Sequence, residues 1–234
     1  RKEKITELFV MEIDIRNVKC CWINLDSAVE NAEKMVNQFD EIGIKNHKRL
    51  SARQIEPPVG TPQTIYHYVG CAQSHIDILE NEKDVPLLIL EDDAKYIPEW
   101  YNPILDNLPE NADAVYLGIS HGDGKYFAQD VGNNIAKIKG VYATHAILYL
   151  SEKYKKAVVD IAKEFVYNKH IPFDLGCATI QGYYNVYTPH LPYFYQADER
   201  SSANKWENLT RRPLRMLAQG AGILGPGYGS GPQG

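Results

Sequence analysis

The 234-residue chain predicts an α/β fold with helices on both faces of a central sheet. Three observations carry this. Short apolar runs at 18–25, 86–90, 114–119 and 144–150 have strand length, and segments of helical spacing stand between several of them. The run at 86–90 is apolar throughout, as a strand buried on both faces requires. Composition supplies a core: 44% of residues are hydrophobic and 24% charged, enough to bury one sizeable domain without disulfide or metal staples.

The first predicted strand, 18–25, is mostly apolar and ends at Asp26-Ser27. Cys20 and Cys21 within it should face opposite sides of the sheet. Residues 28–42 follow with Ala28, Ala32, Met35, Val36, Phe39 and Ile42 near helical spacing. Ser27 suits the N-cap, Glu30 stands three residues later, and Gly43 suits the stop. A short strand is expected over 47–50. Residues 56–62 hold three prolines and a glycine and read as loop. Helical spacing returns at 69–81, with Ala72, His75, Ile76 and Leu79 on one side. The strand at 86–90 ends abruptly in Glu91, Asp92 and Asp93. The strand at 114–119 runs into Ser120-His121-Gly122-Asp123-Gly124 and then a loop rich in Gly and Asn up to 134. A strand at 144–150, an amphipathic helix at 152–167 and a short helix at 175–181, preceded by Asp174, come next. Short strands are expected over 184–187 and 193–195. From Gly220 the tail is Gly-rich and patternless, and it is expected to be disordered.

Charge and cysteine usage exclude several classes. A net charge of -5 gives no general attraction to nucleic acid or to an anionic membrane. Arg211, Arg212 and Arg215, near Lys205, are the local exception and read first as a solvated helix end. The longest purely apolar run, 85–90, falls far short of the about 20 residues that cross a bilayer. No apolar signal-peptide core stands near Arg1, so the expectation is a cytoplasmic protein, or one attached peripherally to a membrane. Cys20, Cys21, Cys71 and Cys177 form no CxxC and no Cys/His pair at zinc spacing, and they read as reduced core thiols. Asn208-Leu209-Thr210 fits a glycosylation acceptor and, without a secretory signal, reads as chance.

In open α/β sheets ligands bind at the carboxyl ends of strands, which directs attention to Asn24, Glu91-Asp92-Asp93 and Ser120-His121. Three acids just beyond a buried strand repel one another and need solvent, a basic side chain or a divalent cation. In extended backbone, positions 91 and 93 point the same way and can share an ion that favours oxygen, such as Mg²⁺, Mn²⁺ or Ca²⁺. The competing reading is an acidic turn facing water, with Asp93 capping a helix. Gly70-Cys71-Ala72-Gln73-Ser74-His75 is the second constellation. A glycine at a helix start leaves free N–H groups for a phosphate, and Ser74 and His75 can donate hydrogen bonds. The plainer reading is an amphipathic helix with a buried histidine.

Eight segments stand in order from about residue 18 to residue 202. They are Trp22-Ile23-Asn24-Leu25-Asp26, Arg49-Leu50-Ser51-Ala52, Gly70-Cys71-Ala72-Gln73-Ser74-His75 and Leu88-Ile89-Leu90-Glu91-Asp92-Asp93, then Asp113-Ala114-Val115-Tyr116-Leu117-Gly118, Thr144-His145-Ala146-Ile147-Leu148-Tyr149-Leu150-Ser151, Pro172-Phe173-Asp174 and Gln196-Ala197-Asp198-Glu199-Arg200-Ser201. In that order they resemble the INLD, R-x-x-A, GCxxSH, LxLEDD, D-x-x-Y-L-G, T-x-A-Y-x-x-S, P-x-D and closing Q…SD stretches of glycosyltransferase family 25. That family includes lipooligosaccharide galactosyltransferases and the collagen galactosyltransferases.

The resemblance implies a Rossmann-like fold of the GT-A type with a mixed central sheet. The transferase domain would span 18–202, after an N-terminal extension (1–17) and before a basic C-terminal segment (203–219) and the Gly-rich tail (220–234). It implies transfer of a sugar from a nucleotide-sugar donor, UDP-linked, to a glycan hydroxyl, with inversion and with Mn²⁺ or Mg²⁺ as cofactor; lipopolysaccharide biosynthesis is one setting it suggests. Glu91, Asp93 and Asp198 are the implied metal ligands, Asp198 also serving as an alternative acceptor contact. Asn24, Arg49, Ser74, His75 and Asp92 are the implied donor contacts. Asp174 is the implied base for the acceptor proton, its plainer reading being an N-cap. The family's arginine-rich segment after the first strand has no counterpart in 26–34, and Tyr68-Val69 replace a usual acid. A second reading therefore has the enzyme glycosylate a modified base in DNA, with Arg211, Arg212 and Arg215 on phosphates. A third has a transferase-like fold kept as a binding module; the intact Glu91-Asp92-Asp93 argues against it.

Overall fold

The computed structural model describes residues 10–52, 55–56, 58–62, 66–120, 126–197 and 210–214. β1 (Val10–Asp14) leads into a single 3-10 turn capped by Asp14, whose carboxylate accepts the Arg16 N–H at 3.0 Å. β2 (Lys19–Leu25) is followed by α1 (Val29–Ile42). The helix is not capped by Ser27. The Ala28 N–H closes a turn onto the Leu25 carbonyl at 2.9 Å, which makes Ala28 the boundary residue, and no side chain caps the helix. Asn24 ties the helix start to the strand end instead, donating to the Ala28 carbonyl at 3.1 Å. At the far end Gly43 adopts a φ of 79° and its N–H closes on the Phe39 carbonyl, as its position after the last apolar residue implied.

β3 (His47–Ala52) and α2 (Tyr66–Asn81) come next, then β4 (Leu87–Glu91), β5 (Ala94–Tyr96), β6 (Ile104–Pro109) and β7 (Ala114–Tyr116). The hairpin of β8 (Phe127–Gly132) and β9 (Ile135–Lys139) precedes β10 (Ala146–Tyr149). α3 (Glu152–Ala162) continues through a π-helical stretch, Lys163–Asn168. α4 (Phe173–Ile180), β11 (Val186–Pro189) and β12 (Phe194–Gln196) follow.

Eight strands form one mixed sheet in the order β3-β2-β4-β10-β7-β11-β9-β8. β2 is parallel to both β3 and β4. β10 is antiparallel to β4 and β7, β11 is parallel to β7, and β9 and β8 close the sheet antiparallel. Alternation along each strand sends neighbouring side chains to opposite faces. Cys21, Ile23, Leu87, Ile89, Tyr116 and Tyr149 pack with α2, α3 and α4 on one face. Cys20, Trp22, Leu88, Leu90, Val115 and Leu148 pack with α1 and with the β1–β6 ribbon on the other. The α/β class, the mixed sheet, the two covered faces and the opposed cysteines all match the sequence reading. No helix among the described residues is long and apolar enough to cross a membrane.

Several boundaries differ from expectation. Residues 126–134, read as loop, belong to the β8–β9 hairpin. Asn133 and Asn134 carry φ values of 55° and 60°, the left-handed pair that a two-residue hairpin turn needs, so the composition that suggested a loop is turn chemistry. Residues 10–17, expected as part of an extension, are built into the domain: β1 pairs with β6 and Ile15 is fully buried. Met11, Ile13 and Ile15 alternate there with Val10, Glu12 and Asp14, a half-buried ribbon pattern. Within the segment expected at 203–219, Thr210 and Leu214 are buried, and the Thr210 hydroxyl accepts the Gln196 N–H at 2.9 Å. The tail at 220–234 lies outside the described residues.

Candidate functional site

Because β3, β2 and β4 run parallel, their carboxyl ends lie side by side. The register sets Asn24 opposite Ser51 and Ile23 opposite Glu91. Arg49 Nε donates to Asn24 Oδ1 at 2.8 Å, and a second guanidinium nitrogen donates to Asp26 at 2.8 Å. The Ser51 hydroxyl also donates to Asp26, at 2.7 Å. These two partners, Ser51 first and then Arg49, hold the Asp26 carboxyl below its ordinary range. On its other side Asn24 donates Nδ2 to Asp92 at 2.6 Å. The Asn24 amide thus offers its oxygen to a cation and its nitrogen to an acid. Asp26, Arg49, Asn24 and Asp92 form one polar chain across three strand ends.

β4 ends at Glu91, and the chain turns at Asp92-Asp93 before β5. Glu91 Oε1 accepts from His75 Nε2 at 3.0 Å, from the Thr144 hydroxyl at 2.8 Å and from the Cys71 thiol at 3.7 Å. Burial pushes the Glu91 carboxyl up, but His75 and Thr144 outweigh it and leave the group below its ordinary range. Asp93 is the opposite case. Gln196 donates to its Oδ2 at 2.9 Å, while the buried Oδ1 has no partner among the described residues. Burial, then the charge of Glu91, and to a smaller extent Asp92, push the Asp93 carboxyl up to about 8 against the Gln196 hydrogen bond. One acid is therefore well solvated by protein donors, and its neighbour has no positive partner among the described residues.

Asp174 lies in the first turn of α4, one residue inside it. Pro172 is the boundary residue, so the N-cap reading does not hold. Its Oδ1 accepts the Leu175 N–H at 2.9 Å. Burial, and more weakly the Glu91 charge, raise its pKa, which puts Asp174 within electrostatic reach of the acid cluster. Gly70 lies a full turn inside α2, not at its start, and its carbonyl accepts the Ser74 hydroxyl at 2.8 Å. The phosphate site expected at a helix start there does not form. Tyr66-His67-Tyr68 form the first turn, and the apolar periodicity begins only at Val69, which is why the pattern placed the start too late. Ser74 and His75 are both buried and turned inward, with the His75 ring 4.9 Å from that of Phe173. His75 reaches Glu91, whereas the Ser74 hydroxyl closes on the Gly70 carbonyl within the helix.

Sequence reasoning assigned no role to Thr144 or Gln196. Both fall within the matched segments, but nothing in a linear pattern says which acid each will meet. The Ala197 N–H bonds the Asp93 carbonyl at 2.8 Å, and Asp198 lies outside the described residues. So do His121, Lys205 and Arg215, while Arg211 stacks over the Tyr195 ring at 4.6 Å. A cleft of ≈ 410 Å³ opens beside Asp92, with Lys34, Gln38, Glu41, Tyr96 and Tyr195 in its walls. No protein-family model and no curated protein matches the chain.

Proposed function

We propose that the protein is a metal-dependent glycosyltransferase that moves a sugar from a UDP-linked donor to a hydroxyl of a glycan acceptor, with inversion. The observation that carries this reading is Asp93. Just past the end of β4, it keeps a buried oxygen without a partner among the described residues and is pushed up to about 8 by burial and its acidic neighbours. Oxygen ligands and surplus negative charge fit a hard divalent cation. Glu91 and Asp93 would hold Mn²⁺ or Mg²⁺, which would supply charge neutralisation for a departing diphosphate.

The surroundings support the same reading. The Arg49 side chain, about one-third exposed and reaching from the middle of β3, suits a phosphate oxygen. Asn24 fixes its direction. Asp174, raised by burial, suits a general base, since a carboxylate nearer neutrality accepts a hydroxyl proton more readily. In an inverting displacement the acceptor oxygen bonds to the anomeric carbon as the bond to the diphosphate breaks, and the acceptor proton passes to Asp174. The order of the eight family-like segments adds support independent of this geometry.

A thermal-shift screen of nucleotide sugars with and without Mn²⁺ tests the reading, because a ligand bound only by the folded state raises its melting temperature. The expected result is a rise with UDP-sugars that needs Mn²⁺ and is lost in Asp93→Asn, followed by transfer to a glycan in a turnover assay. A wild-type melting temperature that no nucleotide sugar moves, with or without Mn²⁺, would sink it.

A further inference from the structure

Cys71 and His75 stand four residues apart on α2, so they share one face of the helix. That face meets the end of β4. Cys71 Sγ and His75 Nε2 lie 3.7 Å and 3.0 Å from the same Glu91 oxygen, and the three ligand atoms are all within 4.8 Å of one another. Around a tetrahedral zinc, with bonds of about 2.0 Å to N and O and 2.3 Å to S, ligand atoms stand about 3.3–3.6 Å apart. The two shorter separations fall within a few tenths of an ångström of that spacing. This corrects the expectation that no Cys/His pair stands at zinc spacing: Cys71 and His75 are a pair on one helix face, and the third ligand comes from a strand end.

We propose that Cys71, His75 and Glu91 form a second metal site, selective for a borderline ion such as Zn²⁺ over Mn²⁺ or Mg²⁺. Thiolate and imidazole favour Zn²⁺, whereas the hard ions favour oxygen ligands. Charge closes as well: one divalent ion, one thiolate, one carboxylate and a neutral imidazole sum to zero, which suits residues that are buried or half-buried. The ion displaces the Cys71 thiol proton to solvent. It also displaces the His75 Nε2 proton, which moves to Nδ1. A water completes the coordination, with the Thr144 hydroxyl beside it, 2.8 Å from Glu91 Oε1. His75 Nδ1 is buried and has no partner among the described residues. A ligating histidine without that second hydrogen bond costs about 10–100-fold in metal affinity, so this is an exchangeable site and not a permanent staple. Glu91 is shared with the acid cluster, so Zn²⁺ here should oppose Mn²⁺-dependent turnover. That consequence rests on the glycosyltransferase reading; the binding itself does not.

Cobalt substitution on the full chain tests the binding directly and involves no sugar. Co²⁺ should give a thiolate-to-cobalt charge-transfer band in the near ultraviolet that Zn²⁺ abolishes and excess Mn²⁺ leaves in place. Cys71→Ser should lose the band and bind Zn²⁺ roughly a hundredfold more weakly or worse, since losing a ligand should cost at least as much as losing a ligand's support. Cys20, Cys21 and Cys177 remain in that variant as controls, and metal-free circular dichroism checks its fold. No charge-transfer band in the wild type overturns the proposal even if the variant misfolds, and so does a band that survives Cys71→Ser.

Discussion

At the ends of β3, β2 and β4, polar side chains are strung from Asp26 through Arg49 and Asn24 to Asp92, open to solvent at Asp26 and in part at Arg49 and Asp92. Across β10 and β7 the buried polar atoms are instead tyrosine hydroxyls, as in the Tyr116–Tyr154 pair at 3.0 Å. The strand directions explain the contrast. Parallel neighbours deliver their carboxyl ends to one side and gather unpaired chemistry there. Antiparallel neighbours alternate their ends, so polar atoms between them are enclosed in the core, where a partner or its absence acts on stability. Substitutions in the parallel half should therefore change chemistry more than stability, and those in the antiparallel half the reverse.

The largest expected stability loss lies just past the end of β7. A Cβ at Gly118 would collide with His145 Nε2 and with the Phe194 carbonyl oxygen. Backbone cannot step aside there, because the Tyr193 and Phe194 N–H groups both bond the Leu117 carbonyl, at 2.7 Å and 3.1 Å. Gly118→Ala should cost about 3 kcal/mol or more in urea unfolding, the upper range for overpacking. A variant that unfolds at the wild-type midpoint would show this half to be softer than its contacts imply. Asp174→Asn is the counterpart on the chemical side. It should lower the transfer rate by ~10²-fold or more while leaving melting nearly unchanged, because Asn can still accept the Leu175 N–H. Full turnover in that variant would remove Asp174 from the mechanism and make Asp198 the next carboxylate to test.

A smaller pair of effects sharpens the contrast by sign. Tyr154→Phe removes a hydrogen bond between two fully buried rings and should destabilise by about 1 kcal/mol. Tyr149 is equally buried, but its hydroxyl has no partner among the described residues. Tyr149→Phe should therefore be neutral or raise the melting temperature. Two destabilising results of equal size would mean that Tyr149 has a partner after all.

The same division governs what could be read from sequence. The parallel half was legible because its strands are continuous apolar runs closed by conspicuous polar residues: Leu87–Glu91 runs straight into Asp92-Asp93, and Lys19–Leu25 ends beside Asp26. The β8–β9 hairpin was not, since Asp130, Gly132, Asn133 and Asn134 look like loop until a partner strand is known. At the site, the acids could be found because they are consecutive. Their partners could not. His75, Thr144 and Gln196 come from a helix, a loop and the distant β12, and only the fold brings them to Glu91 and Asp93. Gly70 misled for a related reason: a glycine beside a polar run looks like a helix start, and the first turn, Tyr66-His67-Tyr68, lacks the apolar periodicity that would reveal it.

The smallest expected effect concerns pH. With metal removed by a chelator, Asp93 is pushed up to about 8 in the folded chain, while in the unfolded chain it returns to its ordinary 3.8. Between those values the folded protein holds a proton that the unfolded protein has released. Stability from this group therefore falls as pH rises through that window and levels off above it. Asp93→Asn cannot ionise and should lack this slope, so the two proteins should match in melting temperature near pH 4 and diverge progressively toward pH 8, the variant melting higher. Asp93 is not fully enclosed, so screening by solvent trims the difference to on the order of 1 kcal/mol, about 2–4 °C in melting temperature for a domain of this size. Mn²⁺ should close the gap by restoring the wild type alone, because only the carboxylate gains a counter-charge. A difference that stays flat across the window would mean that Asp93 is already ionised and compensated without a cation. The strand ends of the parallel half would then need no ion to be stable.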